Sequence, residues 1–285
     1  MLKKLYLHEF KALFRWLKFV WIGIIAIAIL NRGMYALIDY YINNVIESAS
    51  PDASTNPIYR LLLALTSSLT VVYAFVTIAG MLVSFGVVIV RFYKNLFTSE
   101  GYFTFTIPVT AKQHIWCKLL CGVVAVLISM AVCALSLLIN FLNTKVGVII
   151  VQALREINLD IDAEIKVHLI FYAIEFILVM IASIFVTNLT YYCAISFGQS
   201  FKNKIGGSVI SYIIINLIFN CISSFISIFF SFGGSILSFI IDFNAIEPMA
   251  LLHVLIMLSL LIEVGISAVF FAITSHRISK KLNLE

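Results

Sequence analysis

Charge is what this sequence has least of. Of 285 residues only 12% are charged and 62% are hydrophobic, against about 25% charged in an ordinary soluble domain. So few charges cannot cover a water-facing surface, which excludes a soluble globular fold and makes lipid the main solvent. The alternation of apolar and polar residues that a membrane barrel needs is also missing, so the spanning elements are helices. Paired cysteine spacing is absent too. Cys117, Cys121, Cys133, Cys193 and Cys221 are odd in number and lie within or at the inner ends of apolar runs, against a disulfide framework. Cys117 and Cys121 are one helical turn apart, but no histidine or acid cluster joins them, so they are expected to pack.

The motifs of self-contained chemistry are absent as well. There is no G-x-x-x-x-G-K-[ST] loop, and the 13 glycines are scattered among apolar residues, so no nucleotide site is expected in this chain. The five histidines are far apart in sequence, no H-E-x-x-H occurs, and no G-x-S-x-G follows a strand. No catalytic residue, metal site or nucleic-acid surface is expected. No fixed-period repeat or low-complexity segment is visible.

What is present is six long apolar runs, at about 18–42, 60–91, 115–143, 167–195, 207–232 and 249–274. Each exceeds the about 20 residues that cross a bilayer core as a helix. The first is too long for a signal peptide and ends in no small-residue cleavage site, so it reads as a retained helix. From Leu61 to Val90 nothing is charged, about 45 Å of helix, which must tilt strongly or run past the membrane into the cytoplasm, with Gly80 or Gly86 as places to bend. The expected fold is all-α and integral to the membrane, one transmembrane domain over 1–285.

The cations set the orientation. Lys3, Lys4, Lys11, Arg15, Lys18, Arg91, Lys94, Lys112, Lys118, Lys202, Lys204, Arg277, Lys280 and Lys281 share one set of connections, fourteen of the 19 basic residues. Glu47, Asp52, Glu156, Asp160, Asp162, Glu164, Asp242 and Glu247 occupy the alternate loops. Both termini are therefore expected in the cytoplasm. Before the first span, Leu2, Tyr6, Phe10, Leu13 and Leu17 recur on one helical face and Lys4, His8, Lys11, Arg15 and Lys18 on another. That pattern reads as an amphipathic interfacial helix over 1–17.

Between the second and third spans the chain reads RFYKNLFTSEGYFTFTIPVTAKQHIWCKLL over 91–120. Tyr102, Phe103 and Phe105 are apolar side chains in a loop that would otherwise be polar. Thr98 or Ser99 can cap a short helix, Glu100 suits its first turn and Pro108 stops it. Thr110 and Gln113 form a T-x-x-Q box that opens the next span. The physical expectation is a short helix that inserts into another protein's groove.

Glu100-Gly101-Tyr102, then Thr106-Ile107-Pro108-Val109-Thr110 and a downstream Lys118, resemble the stretch after the second membrane helix of ABC-2 type transporter permeases. Six helices, inside termini and an amphipathic start fit the same family. The resemblance implies a coupling helix at 98–108, within a cytoplasmic segment 94–112, docking on a separate ATP-binding subunit. It would use Glu100, Gly101, Tyr102, Phe103, Phe105 and Pro108. It implies a second contact through Phe201 in the loop Gly198–Gly206, and short re-entrant outer helices over 231–249, interrupted at Gly233-Gly234. The segment 144–166 is longer than the resemblance leads one to expect and could be an external lid. The implied protein is the membrane subunit of an ATP-driven bacterial exporter of amphipathic peptides or lipid-like molecules. It would work as a homo- or heterodimer of permease chains in the cytoplasmic membrane, with ATP and Mg held by the partner subunit. A polytopic scaffold or sensor, or a secondary transporter, are the alternatives.

Arg32, Glu175 and Glu263 stand out inside the apolar runs. A charge at the bilayer centre costs at least about 2.5 kcal/mol on insertion scales, so each needs a partner or a wet cavity. Arg32 and Glu175 sit at similar depth, about 5 and 6 Å to the outer side of their helix centres, and are expected to pair within a chain or across a dimer seam. Glu263 has no depth-matched cation and is expected either to be protonated or to hydrogen-bond with Asn216 or Asn220. Ser183, Thr187 and Asn188 can line a path or join helices.

Overall fold

A computed structural model describes residues 2–46, 56–106, 108–141, 147–149, 151–152, 155, 163–240 and 248–280. All regular structure among them is helical. In chain order the helices are α1 (Leu2–Tyr41, continued by a π-helical turn Ile42–Ile46), α2 (Pro57–Phe97), α3 (Ser99–Thr106), α4 (Ala111–Phe141), α5 (Ala163–Gly198), α6 (Lys204–Ile240) and α7 (Pro248–Lys280). Six of these, all but α3, are long and apolar enough to cross a membrane, which makes the chain a multi-pass membrane protein by length and hydropathy.

Three details depart from what the sequence suggests. α1 is unbroken from Leu2 to Tyr41, with no boundary near residue 17 between an interfacial helix and a span. The apolar stripe of the first turns simply continues: Leu13, Leu17, Trp21, Ile24 and Ala28 are all buried at three- and four-residue steps. α2 likewise passes Gly80 and Gly86 without interruption. α6 runs helical through Gly233-Gly234 to Ile240. A glycine costs a helix interior only about 1 kcal/mol, too little to break one whose neighbours are all apolar. The segment 144–166 and residues 241–247 lie largely outside the described residues.

The chain forms two compact units. One comprises Leu7–Val88 and Val124–Ile161; the other comprises Met1–Tyr6, Ile89–Val123 and Asp162–Glu285. The first is joined by polar side chains in an apolar surround. The Trp21 indole N–H donates to Ser129 Oγ at 2.8 Å. Asn31 Nδ2 donates to Asn140 Oδ1 at 2.8 Å, while Asn31 Oδ1 accepts from Thr70 Oγ1 at 3.1 Å. Tyr35 and Thr70 share a bond of 3.0 Å, as do Tyr73 and Ser136. With no water to compete, such bonds hold helices that apolar packing alone would leave free to slide. Gly80 gives α1 close access to α2: a Cβ there would lie 2.6 Å from Ile24 Cδ1.

The second unit packs α5 along α7 and α6. Phe92 stacks on Tyr192, with centroids 3.6 Å apart and planes 5° from parallel. Arg277 closes the end of the α5–α7 pair: its Nε donates to the Ser196 carbonyl at 3.2 Å and its Nη2 to Ser200 Oγ at 2.5 Å. The outward faces are apolar, with Phe75 and Phe225 each 73% exposed, the reverse of a soluble protein. Because Asn31 serves both Asn140 and Thr70, Asn31→Leu is expected to lower stability in mild detergent by about 1–2 kcal/mol. Chemical denaturation followed by circular dichroism measures it, with Leu30→Ala on the exposed face as the near-neutral control.

Candidate functional site

The stretch 91–120 folds as its punctuation suggests. α3 carries Glu100 in its first turn, and the Gly101 N–H donates to the Thr98 carbonyl at 2.8 Å. The Thr98 hydroxyl turns back instead, donating to the Lys94 carbonyl, so it closes α2 rather than capping α3. The box at the start of α4 is reciprocal: the Thr110 N–H donates to Gln113 Oε1 at 3.0 Å, and the Gln113 N–H donates to Thr110 Oγ1 at 3.4 Å. Glu100 and Pro108 are exposed, Gly101 is buried, and Tyr102 is 52% exposed. The side chains of Phe103 and Phe105 lie outside the described residues.

The loop after α5 is tighter. A Cβ on Gly198 would overlap the backbone of Ser208, and one on Gly207 would lie 2.6 Å from Phe201 Cβ. The two glycines thus let α5 and α6 meet at the backbone and let Phe201 fold over the turn, where it stays 45% exposed. Lys202 and Asn203 are exposed beside it.

The intramembrane charges are distributed differently from expectation. Glu175, 9% exposed, takes His253 as its partner: His253 Nδ1 lies 2.8 and 2.9 Å from the two carboxylate oxygens. His253 Nε2 lies 3.0 Å from His168 Nδ1. Tyr172 stacks on His253 at 4.1 Å between centroids and donates its hydroxyl to the Met249 carbonyl at 2.9 Å. Within the chain the hydrogen-bond partner of Glu175 thus comes from α7. Arg32, on α1, keeps a buried Nη1 without a hydrogen-bond partner among the described residues.

Chemically, Glu175–His253–His168 is a hydrogen-bonded line rather than a ligand set. The central imidazole uses both ring nitrogens within the line, so neither is free for a metal, and no metal-holding group occurs among the described residues. When neutral, His253 donates to Glu175 and accepts from His168; when protonated, it donates both ways. The line can therefore hold an extra proton without breaking a bond.

Glu263 lines a separate cavity of about 260 Å³, with Ser183, Thr187 and Thr190 of α5 and Tyr212 and Asn216 of α6. Asn216 is there, the Ser183 hydroxyl lines the same space, and Glu263 Oε2 has no hydrogen-bond partner among the described residues. Asn188 does not join this cavity. It is fully buried, its amide donating to the Ile184 carbonyl.

His168, Tyr172 and His253 are the residues that sequence reading misses. His168, Tyr172 and Glu175 are spaced four and three apart, one helix face, which is a usable signal. His253 is 78 positions from Glu175, and only the parallel register of α5 and α7 joins them. That register recurs along the pair: Tyr172 to Met249, Glu175 to His253 and Ser196 to Arg277 are offset by 77, 78 and 81 positions. No family model, no curated protein and no solved structure matches this chain.

The pairing of Glu175 with His253 predicts strong coupling. Glu175→Gln and His253→Phe are each expected to destabilise the chain, and the double variant to be no worse than the worse single. The double-mutant cycle should return an interaction of about 1–2 kcal/mol, read from denaturation in detergent. For the glycine crossing, Gly198→Ala is expected to cost more than about 2 kcal/mol, and Gly265→Ala, which has open space around its Cβ, far less.

Proposed function

We propose that the chain is the membrane subunit of an ATP-driven exporter of the ABC-2 type, seated in a bacterial cytoplasmic membrane with both termini inside. It works as a dimer, each permease chain engaging a separate ATP-binding subunit. The observation that carries this reading is α3, an eight-residue helix joined to long membrane-spanning helices on both sides, with its acid in the first turn and Tyr102 exposed. A short helix between spans with a half-exposed aromatic suits docking into a partner's groove.

In this reading α3 takes the stroke of the ATP-binding subunits, and Phe201 on the turn between α5 and α6 forms a smaller second contact. Closure of those subunits around ATP, with Mg held there, would tilt the bundle between inward- and outward-facing states. The cargo, an amphipathic peptide or a lipid-like molecule, is suggested by the apolar outer faces and the polar cavity at Glu263.

The Glu175–His253–His168 line favours a second reading, a proton-coupled secondary transporter, since titratable groups inside spans mark ion pathways. One experiment separates the two. The chain is solubilised in mild detergent from native cells, captured, and its companions identified by mass spectrometry, beside a Glu100→Ala/Tyr102→Ala variant. The expected result is an ATPase that co-purifies with the parent and falls at least tenfold in the variant. A chain that travels without an ATPase, and whose vesicles accumulate cargo under a proton gradient alone, overturns the exporter reading in favour of the second.

A further inference from the structure

Three hydroxyls around Glu263, those of Thr187, Thr190 and Tyr212, have their protons already committed. Thr187 Oγ1 donates to the Ser183 carbonyl at 2.8 Å and Thr190 Oγ1 to the Val186 carbonyl at 2.8 Å. The Asn216 amide donates to the Tyr212 carbonyl at 2.9 Å, and the Tyr212 hydroxyl to Tyr191 at 3.4 Å. The three hydroxyls are thus left as acceptors, the Asn216 amide keeps one N–H, and beside them stands a carboxyl with an unpartnered oxygen. No Lys, Arg or His among the described residues lines the space. A cavity in which an acid and acceptors outnumber the donors favours a ligand that brings donors and positive charge.

A second, apolar cavity of about 690 Å³ shares Ile215, Phe219, Ile266 and Phe270 with the first, so the two adjoin. Its volume is in the range of sites that take small organic ligands. Gly265 lines it, and nothing lies within 4 Å of where its Cβ would be. Tyr212, Phe219 and Phe270 sit on the polar side, where aromatic faces favour a cation.

We propose that these adjoining cavities are a binding site for a single-headed primary ammonium amphiphile, its ammonium on Glu263 and the surrounding acceptors, its chain in the apolar groove. A phosphate-bearing lipid is disfavoured, because its oxygens would face a carboxyl and three hydroxyl acceptors with no cation among the described lining residues to offset them. Pairing with the ammonium supplies a partner to the carboxyl oxygen that has none among the described residues. The ligand's role as a cargo rests on the export reading; its binding does not.

The test is equilibrium binding of radiolabelled dodecylammonium to the purified full chain in neutral maltoside micelles, without ATP, beside radiolabelled dodecanol and dodecyl sulfate. The expected result is saturable binding of dodecylammonium at least tenfold tighter than dodecanol, with no saturable binding of the sulfate. Glu263→Gln should abolish that tenfold preference and leave dodecanol unchanged, while Gly265→Leu, which fills the groove, should weaken both. Unchanged ammonium binding in Glu263→Gln, unchanged binding of both ligands in Gly265→Leu, or absence of saturation in the parent overturns the proposal. Should Glu263→Gln fail to fold, Asn216→Leu replaces it and must weaken the ammonium more than the alcohol; equal loss overturns the proposal. Because no ATPase is present, a failure here leaves co-purification of the ATP-binding subunit unaffected, and a missing ATPase leaves this binding unaffected.

Discussion

A polar side chain placed in hydrocarbon cannot fall back on water, so it must find its partner inside the protein or distort its surroundings. The helices of this chain are arranged around that requirement. In one unit Asn31 joins Asn140 and Thr70, and Trp21 reaches Ser129. In the other, His253 stands between Glu175 and His168, and Arg277 spreads over Ser196, Ser200 and the Phe197 ring, 4.2 Å away. Apolar residues, by contrast, are spent mostly outward. Polarity fixes which helix lies beside which, and apolar surface fixes only that the whole belongs in lipid.

Much of the fold could be read from the sequence because membrane-spanning helices announce themselves by length and hydropathy alone. The six helices fall where the six apolar runs predict, most of them longer at their ends, though α4 stops at Phe141, just short of its run. The Thr110–Gln113 box was equally local, and the short helix before it followed from Glu100 and Pro108. What failed was what depends on neighbours. Gly80 suggested a bend, yet its use is to admit Ile24. The cations beside Leu13 and Leu17 suggested a surface helix ending near residue 17, whereas the buried stripe carries on through Trp21 and Ile24.

The candidate sites divide in the same way. Glu175 and Glu263 were conspicuous because a charge in an apolar run is rare, but their partners were not. Depth matching offered Arg32 to Glu175; the nearer solution came from a histidine in a helix 78 residues away, running parallel in the next position of the bundle. Histidine is a weak sequence signal, neither clearly polar nor clearly apolar, and only adjacency gives it meaning. Asn216 beside Glu263 was foreseeable, since both sit mid-helix in consecutive spans.

Gly198 has a mechanical consequence. Where two helices touch backbone to backbone with no side chain between them, they cannot slide without coming apart, but they can scissor. The contact of Gly198 with Ser208 is such a hinge pin, and the loop 199–203 is too short to let it drift. Asn216 stands nine residues beyond Gly207, an arm of about 14 Å at 1.5 Å per residue, so a 10° rotation about the pin moves it by about 2.4 Å. A small angular change at the turn carrying Phe201 is thus geared into a change of cavity width at Glu263, while the pin itself stays still.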